Sequence, residues 1–198
     1  MNNVPRFWIV MLSFTFLSAV LTGHPARGED VPTKKVKVGD VVMVVPGTWK
    51  QQPPSNRLRL AQFQIPPSGD DKEPAELSVF NFGGGGAVAQ QVDRWKGQFL
   101  PTNRQFSMEE GQIELGAYVL VDLAGTYKKP TGPPVLRKTT EMPGAKMLVV
   151  MISTKKGNYF LKLVGLNATV SAAAADFRKS IGVPPKKSAD KKKKKTSP

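Results

Sequence analysis

Cysteine is absent from the 198 residues and histidine occurs once, at His24. No disulfide framework, thiolate nucleophile, iron–sulfur cluster, Cys-ligated zinc or lipid-modified cysteine can therefore form. Acidic residues are few: 15 Asp and Glu stand against 29 Lys and Arg, a formal net charge of +14. Long apolar runs are scarce too. The longest, Phe7 to Leu21, has 15 residues, short of the roughly 20 that a spanning helix wants. With no thiol and a single imidazole, catalysis would have to rest on lysine, tyrosine, serine or carboxylates, which lowers the expectation of an enzyme.

The length fits one domain with tails. Arg6 and the amino terminus precede the apolar run, and small residues at Ala26 and Gly28 follow it. This is the pattern of an export signal over residues 1–28, cleaved before Glu29 or, alternatively, after Gly23. The only histidine would leave with it. The mature protein is then expected outside the cytoplasm, in the periplasm or beyond. At the other end, residues 183–198 read VPPKKSADKKKKKTSP, with seven lysines and one aspartate. Such a segment cannot bury enough apolar surface to offset its ordering entropy, and disorder is expected. Half of the mature chain's excess charge of +12 sits there.

Residues 29–182 read as one α+β domain. Val41–Val45 is a strand closed by Pro46-Gly47, with Trp49 just beyond the turn. Gln51–Asn56 reads as loop. Arg57–Ile65 alternates with a phase shift: Leu58 and Leu60 on one face, then Phe63 and Ile65, with a bulge near Ala61-Gln62 restoring the register. Glu76–Phe82 is apolar enough for a central strand. After Gly83, Gly84, Gly85 and Gly86, the spacing of Val88, Val92, Trp95 and Phe99 marks a helix to about Leu100, stopped by Pro101. Ile113–Tyr127 alternates as a long strand or two strands joined by a bend. Lys128–Gly144, with four prolines, reads as loop. Lys146–Ser153 and Tyr159–Val164 flank a hairpin turn. Val170, Ala173, Ala174, Phe177 and Ile181 stripe a last helix, capped by Asn167 or Thr169 and stopped by Gly182. The expected order is β-β-β-α-β-β-β-α: a mostly antiparallel sheet of about six strands with two helices packed on it.

The opening strand ending in Pro46-Gly47-Thr48-Trp49 resembles the start of PsbP-like and DcrB-like proteins. With it go the export signal, a helix in mid-sheet and a final hairpin followed by a helix. The resemblance implies a small exported α+β domain. The stretch from Ala75 to Gly86, followed by Asp93-Arg94-Trp95 and Gln98-Phe99, is also similar to exported bacterial proteins of unknown function. Neither resemblance carries over a functional residue, since folds of this kind host many roles.

Several positions invite chemistry. Gly83–Gly86, between a strand and a helix, lies where free N–H groups and a helix dipole could hold an anion, or is simply a flexible connection. Trp49, Tyr127 and Tyr159 could line a ligand groove or anchor the sheet. Asp70, Asp71 and Glu73 could collect a divalent cation but lack calcium-loop spacing. Glu109, Glu110 and Glu114 invite an acid–base pair, yet nothing around them indicates the separate environments such a pair needs. Met43, Met108, Met142, Met147 and Met151 could handle copper, although Met43, Met147 and Met151 sit within strands, which favours core filling. Asp93 and Arg94 read as a solvated helix face, and Trp95 as core. Asn167-Ala168-Thr169 matches a glycosylation sequon that helix capping also explains. Ser153-Thr154-Lys155 and Ser171 have no base nearby in sequence. The lysine-rich tail (Lys186, Lys187, Lys191, Lys192, Lys193, Lys194 and Lys195) would attract polyanions in a salt-dependent way. An anionic membrane surface or an acidic polysaccharide would suit it. It has no aromatics to stack on bases, which argues against sequence-specific nucleic-acid binding. No metal or cofactor is expected. The function expected is a non-catalytic binding or accessory module of the cell envelope, with an unidentified protein or small ligand as partner. The alternatives are a carboxylate- or metal-dependent exported enzyme and a polyanion-binding protein.

Overall fold

Alternating apolar and polar residues build most of the molecule. The computed structural model describes residues 32–83, 88–132 and 134–186; the expected export signal, Gly84–Gly86 and Lys187–Pro198 lie outside these. The chain forms β1 (Thr33–Val38), β2 (Val41–Pro46), β3 (Lys50–Gln52), β4 (Arg59–Ile65) and β5 (Ala75–Asn81). Then come α1 (Val88–Lys96), β6 (Gln105–Ile113), β7 (Gly116–Pro130), β8 (Thr139–Thr154), β9 (Gly157–Leu166) and α2 (Asn167–Lys179). The expected α+β class with a mostly antiparallel sheet and two helices holds. The described residues form nine strands rather than about six.

Seven strands make one antiparallel sheet in the order β3-β4-β5-β9-β8-β7-β6, and β1-β2 is a separate hairpin. On one face, Phe63, Leu77, Leu161, Leu163, Val150 and Ile152 meet Val170, Ala173 and Phe177 of α2, with Met43, Val45 and Trp49 from the β2 region. On the other face, Val121, Leu123, Met147, Val149 and Met151 meet Val92 and Trp95 of α1, with Phe99 beyond it. A buried side chain such as Phe177, fully enclosed in the first cluster, contributes about 1.5–3 kcal/mol through removal from water. Gly165 lets the α2 face close up: a Cβ there would stand 2.6 Å from the Ala75 Cβ, nearer than two carbons can approach.

Several boundaries differ from the expected ones, for identifiable reasons. In β4 the bulge falls between Arg59 and Ala61, one position earlier than expected. Ala61, Phe63 and Ile65 are therefore the inward set, while Leu58 and Leu60 are exposed at 63% and 43%. Gln51 and Gln52 pair with Phe63 and Gln62 as a short edge strand instead of a loop. Of the two readings of Ile113–Tyr127, a long strand or two strands joined by a bend, the second is the nearer: Ile113 ends β6, the chain turns at Glu114-Leu115, and the rest runs along β7. The stretch taken as loop from Lys128 to Gly144 is largely strand, because Lys128 and Lys129 pair with Glu141 and Thr140. Helix α1 ends at Lys96 rather than near Leu100. Past Gly97 the chain pairs with β7: the Leu100 N–H donates to the Thr126 carbonyl and Lys128 N–H to the Gln98 carbonyl, at 2.9 and 2.8 Å.

Neither Asn167 nor Thr169 caps α2. Leu166 occupies the cap position without a side-chain bond. The Asp71 carboxylate does the work from the β4–β5 loop, accepting both the Thr169 N–H and its hydroxyl at 2.7 Å. An anion at a helix start is favoured by the exposed N–H groups and by the helix dipole. At the other end Gly182 takes a φ of 75°, the left-handed conformation in which glycine carries no Cβ penalty. Packing continues past Gly182, the domain end drawn from sequence: Val183 is buried, and the Pro184 carbonyl accepts from Arg178 Nε.

Candidate functional site

Helix α1 has nine residues, about 13 Å at 1.5 Å per residue, and cannot cover a seven-stranded face. Its buried contacts fall on β7, β8 and β9. The β4–β5 half of that face has no helix over it, and here the residues pointing away from α2 are mostly polar, Phe80 excepted. The register sets Gln62, Ser78 and Lys162 in one row across β4, β5 and β9, with Gln64, Glu76 and Val164 in another. Between these rows and the outer parts of β7 and β8 lies a cleft of about 380 Å³, lined by Arg59, Glu76, Tyr127, Lys162, Phe80 and Met142 among others. That size is within the range of small-molecule sites, roughly 300–1,000 Å³.

Glu76 is the acceptor at the cleft floor. Its carboxylate takes hydrogen bonds from Arg59 Nη1 at 2.7 Å, Gln62 Nε2 at 2.8 Å and the Ser78 hydroxyl at 2.9 Å. The Arg59 guanidinium also lies 5.9 Å from the Phe80 ring centroid, and its Nε is buried without a partner. Lys162 is bound differently. Its Nζ donates to Gln98 Oε1 at 2.6 Å and to the Tyr127 hydroxyl at 3.0 Å, and sits 5.1 Å from the Tyr127 ring centroid. Both acceptors are neutral. Burial pushes the Lys162 amine down to about 8, partly offset by Glu76 and reinforced by Arg59. Burial also pushes the Tyr127 phenol up to about 12, with Glu76 adding to it. At neutral pH the tyrosine is therefore a hydroxyl and the lysine mostly an ammonium.

Of the sequence-expected ligand residues, Tyr127 is in this cleft. Trp49 is buried within the α2-side core, on the opposite face, so the two do not share a groove. Tyr159 belongs to that same core and its hydroxyl accepts from the Asp40 N–H. Gly83 does not line the cleft. Its N–H donates to Asn81 Oδ1 and its carbonyl accepts from the Asn158 N–H, tying it to the end of the sheet. Gly84, Gly85 and Gly86 lie outside the described residues, as do Lys187 and Lys191 to Lys195. Lys186 is exposed beside Ser107, Met108 and Glu109 in a smaller hollow.

The acidic candidates are dispersed. Asp71 caps α2, Glu73 faces Lys129 at 3.5 Å, and among the described residues no cluster of three or more His, Asp or Glu side chains has metal-binding geometry. Glu109 is tied to Arg178 and to the Tyr118 hydroxyl, while Glu110 and Glu114 are exposed. The methionines divide between the faces: Met43 in the α2-side core, Met147 and Met151 under α1, Met142 at the cleft.

Arg59, Glu76 and Lys162 escaped the sequence reading. Each is a charged residue inside an otherwise apolar strand segment, and that oddity was the available signal. Their meeting depends on strand pairing that no local pattern reveals.

No family model matches the sequence, and no curated protein matches it. A crystal structure of PA94, a protein of unknown function from Pseudomonas aeruginosa, is similar to this chain at 18% identity and a TM-score of 0.38, covering 77% of this chain and 97% of that one. Among the described residues, no helix is long and apolar enough to cross a membrane.

Proposed function

We propose that the protein is an exported, non-catalytic binding module of the cell envelope. In this reading a small ligand occupies the cleft beside Lys162, and the lysine-rich C-terminus holds the module near anionic surfaces. The carrying observation is the cleft itself: a ligand-sized hollow with an apolar side (Phe80, Met142, Val164) and convergent polar groups (Arg59, Tyr127, Lys162), the usual constitution of a binding site. The leader-like N-terminus and the resemblance to PsbP-like and DcrB-like domains support export.

A saturation-transfer NMR screen of a mixed fragment library against the full chain tests the cleft. Fragments that bind the native protein, and that are displaced or weakened in a cleft variant such as Phe80→Ala, are expected. A library that yields no binder sensitive to that variant overturns the reading. Fusing residues 1–28 to a reporter active only outside the cytoplasm tests export, and reporter activity is expected.

A further inference from the structure

The charges in the cleft do not balance. Arg59 is paired with Glu76 at 2.7 Å, and Lys129, at the rim, faces Glu73 at 3.5 Å. Lys162 is the remaining cation, and among the described residues no carboxylate lies within ion-pair distance of it. An ammonium has three N–H donors, and the acceptors in reach use two. The Tyr127 hydroxyl, 3.0 Å away, accepts from Lys162, and its own proton has no acceptor among the described residues. Two donors with nothing to donate to thus stand side by side at the cleft wall. Glu76 already takes three hydrogen bonds and has little left for a ligand cation. A part-buried charge without a counter-ion is costly, and an anion arriving beside it relieves that cost.

On this basis, and resting on the binding-module reading above, we infer that the cleft takes a small monocarboxylate with an apolar body. Its carboxylate accepts from Lys162 Nζ and from the Tyr127 hydroxyl, and its hydrocarbon part lies along Phe80, Met142 and Val164. One free cation calls for one negative charge. A dianion would have to break the Arg59–Glu76 pair to be satisfied. Charge-assisted hydrogen bonds to a carboxylate are about twice as strong as neutral ones, so the donor pair favours an acid over the corresponding alcohol. Other groups facing Lys162 leave this intact. Glu76 on β5 and Arg59 on β4 neutralise one another, Gln98 beyond α1 is neutral, and β8 presents Met147 and Val149 on that side.

The test uses the full chain at pH 7, titrated with octanoate, 1-octanol and octylamine by isothermal calorimetry and amide NMR. Octanoate is expected to shift resonances of β5, β9 and the Tyr127 region, and to bind at least tenfold more tightly than 1-octanol, with octylamine weakest. Lys162→Met should reduce octanoate affinity tenfold or more, Tyr127→Phe several-fold, and Lys35→Met, on the distant β1–β2 hairpin, not at all. Lys162→Arg keeps the charge. Native affinity should decline as pH rises above about 8, whereas the arginine variant should keep whatever affinity it has. If the alcohol or the amine binds as well as the acid, the carboxylate inference is overturned while the binding reading survives. If octanoate leaves the cleft resonances unmoved, the inference is also overturned, and the fragment screen decides the broader reading separately.

Discussion

The two faces of the same sheet are built from the same strands and have been finished differently. The α2 face is closed by α2 and the β1–β2 region across β4, β5, β9 and β8, with a small hollow left toward β6, and its core is apolar from Phe63 through Leu161 to Ile152. The α1 face is closed only where the shorter helix lies, and its remaining half carries Gln62, Glu76, Ser78 and Lys162. Because strand residues alternate, each polar position on the open half is the immediate neighbour of a core position on the other: Glu76 and Ser78 flank Leu77, and Lys162 separates Leu161 from Leu163. One face serves stability, and the other gives up some of it to keep a charged hollow, the pattern expected where function and stability compete.

The largest test of this contrast removes a side chain from the closed face. Phe177→Ala should cost about 3–5 kcal/mol in urea unfolding, since the ring is fully enclosed and its loss leaves a cavity. A cost under about 1 kcal/mol would mean that the α2 face is not the stabilising one. The open face should respond with the opposite sign. Lys162→Met replaces a part-buried ammonium by a hydrophobe of similar length and should stabilise the protein at pH 7 by about 1–2 kcal/mol; destabilisation would break the comparison.

The same variant sharpens it through pH. The folded-state pKa of Lys162 is lowered to about 8 from 10.5, so between those values the unfolded chain binds more protons than the folded one. Stability should therefore rise with pH across that window through this group. The native-minus-Lys162→Met difference should shrink from pH 8 to 10.5, and a flat difference would refute the assignment. Tyr127 acts oppositely. Its raised folded value of about 12 means that its contribution is complete below pH 10 and is lost as pH climbs toward 12.

Smaller effects follow. Asp71→Ala removes the acceptor of the Thr169 N–H and hydroxyl and should cost about 1 kcal/mol, read as a lower urea midpoint. Deleting residues 187–198 should change unfolding free energy by under about 0.5 kcal/mol, since this lysine-rich sequence has no large apolar residue to bury. The same deletion should abolish low-salt retention on anionic vesicles or heparin. Retention equal to that of the full chain would shift attention from the tail to basic groups on the fold, such as Lys128 and Lys138.

The legible parts of the fold were those with strong periodicity. Val41–Val45, the β8–β9 hairpin and the α2 stripe all bury one side against a core, and burial is what writes a pattern into sequence. Strand β6 is exposed along most of its length, and β3 is a three-residue edge. Neither needs an apolar face, so neither announced itself. Strand β1 does alternate, in Lys35-Val36-Lys37-Val38, but its lysines leave only a short apolar face, and it went unassigned. Of the candidate site, Tyr127 was within reach because an aromatic near a strand end is a conventional suspect. Lys162 was not, because a lysine within Tyr159–Val164 looks like an outward-facing residue until β5 and α1 are placed around it.

The pairing of Ser78 with Lys162 has a consequence for how the molecule assembles. Strands β6 to β9 follow one another as successive hairpins, each closing a short stretch of chain. The β5–β9 seam instead joins residues 78 to 88 positions apart in sequence, and long closures of this kind are slow to form. The meander should gain protection from hydrogen exchange first, and β4–β5 should add to it afterwards. The cleft, which straddles that seam, is then the last part of the sheet to come into being. A chain still emerging from synthesis has no such cleft until β9 has been made.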